Sequence, residues 1–133
     1  MRQAAALPFR YLEADDTATE VLLVTSSGGR WIIPKGDIDG GMEPHLAAEK
    51  EAFEEGGVRG RIDRRPIGRF GICKEQDGAA IPVEVDVFPL EVSEELKRWP
   101  EMDFRKRRWL PTNEAADAVE DGELASILRS FRP

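Results

Sequence analysis

The sequence holds one cysteine and one histidine in 133 residues. Cys73 has no partner for a disulfide, and with His45 as the sole imidazole no cysteine–histidine zinc site can be assembled within one chain. That usage points to a reducing, cytoplasmic setting. Long apolar runs are also missing: no stretch approaches the roughly 18 uninterrupted apolar residues of a membrane span. The opening MRQAAALPFR is too short and too soon charged to read as a secretory signal, so no membrane partner is expected. Positive charge is in the minority, 19 basic against 26 acidic residues for a net charge of −7, which disfavours binding to duplex nucleic acid. No fixed-period repeat, Gly/Ser linker or low-complexity tract divides the chain, and its length suits one domain over residues 1–133, as a monomer or a homodimer.

What is present suffices for a core: 41% hydrophobic and 34% charged residues. Ala4 to Tyr11 and Glu20 to Thr25 read as paired strands, and Arg30 to Ile33 as a third, stopped by Pro34. Lys35 to Gly41 carries three glycines without periodicity and reads as a loop. Glu43 to Gly56 has helical composition, with Pro44 suited to the first turn and Gly56-Gly57 as a C-terminal stop. Ile62 to Cys73 reads as strand material broken by Pro66, Gly68 and Gly71. Ile81 to Leu90 alternates with period two, which predicts a strand with one wet or functional face. Ser93 is placed to cap a short helix ending before Pro100, and Thr112 to cap Asn113 to Val119 around a strand at Arg107 to Leu110. A closing helix capped by Asp121 sets Leu124, Ile127, Leu128 and Phe131 on one face. Strands mixed with helices suggest a sheet covered by helices.

The chemistry centres on Glu51, Glu54 and Glu55, which fall within about 100° of arc on one helix. Like charges at that spacing repel unless a cation gathers them, and hard oxygen ligands suit Mg²⁺ or Mn²⁺. An ordinary acidic helix face has the same spacing.

The surrounding segment from Gly36 to Val58, GDIDGGMEPHLAAEKEAFEEGGV, resembles the signature of the Nudix hydrolases. It matches in register at Gly36, Glu51, Ala52, Glu54, Glu55, Gly57 and Val58. It departs at Met42, where the family has glutamate, and at Lys50, where it has arginine. Arg2 to Arg10, Trp31 to Gly36, the strand before Phe88, Trp99-Pro100-Glu101, Arg107-Arg108-Trp109 and Glu114-Ala115 are similar to the diphosphoinositol polyphosphate and diadenosine polyphosphate hydrolase branch. The resemblance implies an α/β/α sandwich around a mixed sheet. It also implies a Mg²⁺-dependent pyrophosphohydrolase, with Mn²⁺ as a possible substitute, that cleaves the phosphoanhydride of a small polyphosphate substrate. A dinucleoside polyphosphate or an inositol pyrophosphate is the expected substrate. Glu51, Glu54 and Glu55 then bind the metal, and Arg10, Lys35 and Gly36 lie where the substrate phosphates are held.

With Met42 in place of a carboxylate, the base falls to one of the helix glutamates, to Glu43, or to Glu84, Asp86 or Glu75 outside the helix. Arg30, Arg69, Lys74 and the run Arg105-Lys106-Arg107-Arg108 are further cations, and Lys50 is expected to orient a neighbouring carboxylate. His45 reads as exposed, Cys73 as a buried small hydrophobe, and Trp109 as core, while Trp31 and Trp99 could stack on a base. Two rival readings follow from the departures and the chemistry: a Nudix-fold sensor without turnover, and an enzyme acting on the 5′ triphosphate of RNA.

Overall fold

The computed structural model describes residues 2–12 and 15–133. Its centre is β1 (Arg2–Leu12), which runs parallel to β7 (Ala79–Glu95) and antiparallel to β2 (Asp15–Thr25) and β4 (Lys35–Asp37). The remaining strands are β3 (Trp31–Ile32), β5 (Val58–Ile62), β6 (Gly68–Gln76) and β8 (Arg107–Pro111). They complete an eight-stranded mixed sheet with backbone order β3-β2-β1-β7-β5; β4 joins β1, β6 joins β7 and β8 joins β2.

Helices cover both faces, giving the expected α/β/α sandwich. On one side α1 (Pro44–Gly56) sets Ala47, Ala48 and Ala52 against Ala4 and Ala6 of β1, with Phe88 and Leu90 of β7 in the same cluster. Small residues on both surfaces let the helix backbone approach the sheet, which draws the carboxylates of α1 close to it. On the other side α2 (Thr112–Ala118) and α3 (Gly122–Ser130) bury Leu124, Leu128 and Phe131 over Leu7, Phe9, Val85 and Val87. Covering both faces explains why Gln3 to Phe9 are buried without alternation. It also corrects the wet face assigned to β7, because Asp86 and Phe88, opposite its valines, are buried too.

Several local expectations change. The glycine loop is partly strand, since Lys35–Asp37 pair with Gln3 to Ala5. The broken strand material resolves into β5 and β6, separated by the turn through Pro66. No helix starts at Ser93: β7 continues to Glu95, where its tail pairs with Val58 to Gly60, a partner more than thirty residues away. Thr112 is no side-chain cap, because its hydroxyl lies 3.0 Å from that of Thr19, whereas Asp121 accepts from the amide of Leu124 at 2.9 Å as expected. Cys73 is exposed on β6 rather than buried. His45 is not exposed: its side chain is 11% accessible and its ring faces Phe88.

Candidate active site

Helix α1 begins at Pro44 and is capped at Gly57, whose φ of 65° is left-handed and whose amide bonds back to Ala52 and Phe53. A Cβ at Gly57 would strike Trp99 and Arg107, and these two clamp the helix end. The Trp99 indole donates to the carbonyl of Glu55 at 3.0 Å. The Arg107 guanidinium stacks 3.8 Å from the Trp99 ring centre and donates to Gly56 at 3.0 Å. The last turn, which carries Glu54 and Glu55, therefore has its orphan carbonyls satisfied from outside the helix.

Glu55 is 4% exposed. One carboxylate oxygen accepts from the backbone amide of Lys35 at 3.2 Å, and the other lies 3.4 Å from Arg105. Burial pushes its pKa up to about 8, Arg105 pulling the other way and the nearby Glu51 and Glu101 adding to the rise. Glu51 is pushed up to about 6, again mainly by burial, then by Glu54. Its carboxylate sits on Gly36, where a Cβ would collide with it. That contact explains a glycine at Gly36, opposite Ala4 on the same row of the sheet. Glu54 is partly exposed, and Lys50 lies 4.0 Å from it while holding Asp39 at 3.0 Å.

Among the described residues, no three Asp, Glu, His or Cys side chains converge tightly enough to cage a metal as they stand. The donor chemistry nonetheless fits a hard divalent cation: the set is all oxygen, and two carboxylates carry raised pKa values through burial and mutual repulsion. Met42, at the position of the family glutamate, packs against the apolar cluster beneath α1, and Glu43 is exposed at the helix start.

Two residues of this site escape a sequence reading. Arg105 belongs to a basic run that looks like a solvated surface, yet its Nε donates to Glu101 at 2.7 Å, one terminal nitrogen to the Thr25 carbonyl at 2.7 Å, and the other faces Glu55. Glu101 comes with it, and its amide donates to the Glu54 carbonyl at 3.0 Å. In the sequence Arg105 stood only as one of a run of cations and Glu101 only within the phrase Trp99-Pro100-Glu101.

The other candidates divide. Lys35 stays at the site: its ammonium donates to Gln3 at 3.2 Å, and burial lowers its pKa against the opposing pull of Glu55. Beside it a cavity of about 420 Å³ is walled by Trp31, Phe70, Ile72 and Leu124, with Arg30 at its edge. Asp37 accepts from Lys74 at 2.9 Å and from Gln3 at 3.0 Å. Arg10 lies away from Lys35: Lys35 pairs with Ala5, and Arg10 is five residues further along β1, about 16 Å at strand rise. It bonds Glu20 at 2.8 Å and stacks on Trp109, which is half-buried and packs against the apolar cluster under α1. Asp86 is buried between Arg2 and Arg69, Glu84 is exposed and paired with Arg69, and Glu75 is exposed.

A family model for the NUDIX domain matches residues 2–131. Nudix hydrolase 18, mitochondrial, of Arabidopsis thaliana is 35% identical over 122 residues, covering 86% of this chain and 66% of the relative. Diphosphoinositol polyphosphate phosphohydrolase 2 of Rattus norvegicus is 35% identical over 123 residues, covering 90% and 63%. The chain thus spans just under two thirds of the length of each. In fold it is similar to a C. elegans Ap4A hydrolase in a binary complex, at a TM-score of 0.69 and 22% identity over 96% of this chain and 92% of that one. With a family model matched over residues 2–131, the chain belongs to the Nudix family.

Proposed function

We propose that this chain is a Mg²⁺-dependent pyrophosphohydrolase that cleaves a phosphoanhydride bond of a small diphosphate-containing substrate, a dinucleoside polyphosphate ahead of an inositol pyrophosphate. The carrying observation is the pair Glu51 and Glu55: two carboxylates drawn against the sheet, with raised pKa values, the first beside a glycine that leaves it room. Burying such groups costs stability, and a bound divalent cation offsets that cost.

Glu51, Glu54 and Glu55 would hold the ion, which supplies charge neutralisation at the phosphoryl oxygens and a lower pKa for attacking water. The protein's own groups do the rest. The Lys35 amide and Arg105 fix the Glu55 carboxylate, so it need not reorganise during turnover. The Lys35 ammonium, at the cavity edge, is placed to take a substrate phosphate, and Trp31 and Phe70 offer apolar walls to a nucleobase. Of the outside carboxylates, Glu101 supports the role of base best. It is near enough to Glu51 and Glu55 to raise both pKa values, and Arg105 orients it. Asp86 is committed to two arginines.

A nucleobase is favoured over an inositol polyphosphate because Trp31, Phe70, Ile72 and Leu124 give the cavity apolar walls that suit a flat ring rather than one covered in phosphates. The testing experiment is a panel of dinucleoside polyphosphates, nucleoside triphosphates, ADP-ribose and inositol pyrophosphates assayed with Mg²⁺ and with Mn²⁺. The reading expects turnover of a dinucleoside polyphosphate above the others. No turnover of any member, with nucleotide binding retained, would favour a sensor.

A further inference from the structure

A second cavity, about 910 Å³ and larger than the one beside Lys35, shares no residue with the site above. It opens beside the far end of β1 and α3, with Phe9, Tyr11 and Phe131 on one side and Ile67 on the other. The three aromatics form a ladder: Phe9 meets Tyr11 edge-on at 5.7 Å and Phe131 at 5.2 Å. Phe9 and Phe131 are buried, but Tyr11 and Ile67 are 40% and 43% exposed, so apolar surface is left at the mouth.

The segment beside this groove is basic, unlike the chain as a whole. Between Arg59 and Arg69 the sequence has five arginines and a single acid, Asp63, in a protein of net charge −7. Arg61 and Arg64 from this segment line the groove, and Arg132 joins them. Arg61 faces Glu91 at 3.3 Å, and Arg132 donates to the backbone carbonyls of Arg129 and Phe131. Arg64 makes no ion pair among the described residues. Among the side chains that line the groove, three guanidinium groups stand against Asp63 and Glu91.

We propose that this groove is a second binding site, separate from the hydrolytic one, for a free nucleoside phosphate: the base packs against Tyr11 and Ile67 while Arg64 and Arg132 take the phosphates. Its volume lies in the range of small-molecule sites. An exposed aromatic gives every base a face to stack on, and arginine forks match phosphate oxygens. A free nucleotide is favoured over a nucleic-acid strand because the basic zone is short and the remainder of the acidic chain repels a long polyanion.

Equilibrium dialysis with the non-hydrolysable α,β-methylene-ADP in Mg²⁺ reads the site by difference. The double variant Arg64→Glu/Arg132→Glu should bind one nucleotide fewer per chain than wild type, and Tyr11→Ala should weaken that same class at least about tenfold. Both variants alter exposed or mouth residues, and circular dichroism should confirm unchanged folding. Photolabelling with 8-azido-ADP should mark peptides containing Tyr11 or residues 61–67. Equal stoichiometry in wild type and double variant, or label confined to peptides spanning residues 31–55, overturns the proposal. So does tighter binding of an oligoadenylate than of the mononucleotide, which would make the occupant a strand. Concentration-dependent dimerisation abolished by Tyr11→Ala, without loss of nucleotide, would make it a second copy of the chain and overturns the proposal as well.

Discussion

The backbone amide of Lys35 donates to Glu55 across 3.2 Å, joining the start of β4 to the last turn of α1. A backbone donor cannot be removed by side-chain substitution, so the Glu55 carboxylate keeps one anchor in every variant that leaves β4 in place. The side-chain anchors and the carboxylates themselves can be varied one at a time.

Glu49 lies about 160° around the helix from Glu51 and cannot reach the same ion. Glu49→Gln should be nearly silent. Glu51→Gln or Glu55→Gln should lower kcat by on the order of 10²–10³, the usual loss when one charged contact to a transition state is deleted. Steady-state kinetics on the three variants checks this, and equal damage from Glu49→Gln and Glu55→Gln would move the metal site elsewhere.

Arg105 is the strongest influence holding the Glu55 pKa down. In Arg105→Ala that pull is lost, the carboxyl titrates higher still, and the rising limb of the kcat/KM profile should move to higher pH. Arg105→Lys keeps the charge without the fork and should move it less. A purely structural role for Arg105 would lower activity without displacing the limb.

Metal-free stability should depend on pH in an unusual direction. An ordinary salt-bridged carboxylate has a depressed folded pKa and stabilises as pH rises, but Glu55 and Glu51 are raised to about 8 and about 6 from 4.5. Their favourable contribution is full below the unfolded value and is lost as pH climbs through the folded values. In EDTA, the urea midpoint should therefore fall between about pH 5 and pH 8, and Glu55→Gln should flatten the decline. A midpoint rising over that interval in wild type would contradict the burial of these groups.

Met42 packs into the apolar cluster under α1, and under the proposed function the work of the family glutamate falls to another residue. Met42→Glu should leave kcat within about tenfold. A gain above about a hundredfold would identify the natural chain as a weakened enzyme and favour the sensor reading.

The helix was legible because Pro44 and Gly57 act locally: one preset for the first turn, the other able to adopt φ of 65°. The spacing of Glu51, Glu54 and Glu55 was legible for the same reason. Ser93 misled because Val92 to Glu95 satisfies either a cap or a strand, and the choice is made by backbone partners on β5. Arg105 was illegible because its contact with Glu55 spans fifty residues, and a basic run carries no mark of which member turns inward. His45 and Cys73 exchanged their expected exposures for a related reason: Phe88 lies over one and nothing comparable over the other. Local chemistry wrote the helix and its glutamates, while long-range pairing chose what surrounds them.

The most direct measurement of the central claim is ³¹P NMR of diadenosine tetraphosphate incubated with wild-type protein and with Glu55→Gln, each in Mg²⁺ and in EDTA. The account predicts replacement of the dinucleotide's resonances by those of two mononucleotides bearing terminal phosphates only for wild type in Mg²⁺, with a melting temperature that Mg²⁺ raises because only the native fold gathers the carboxylates. Cleavage by wild type that proceeds equally in EDTA, or by Glu55→Gln at the wild-type rate, would contradict it.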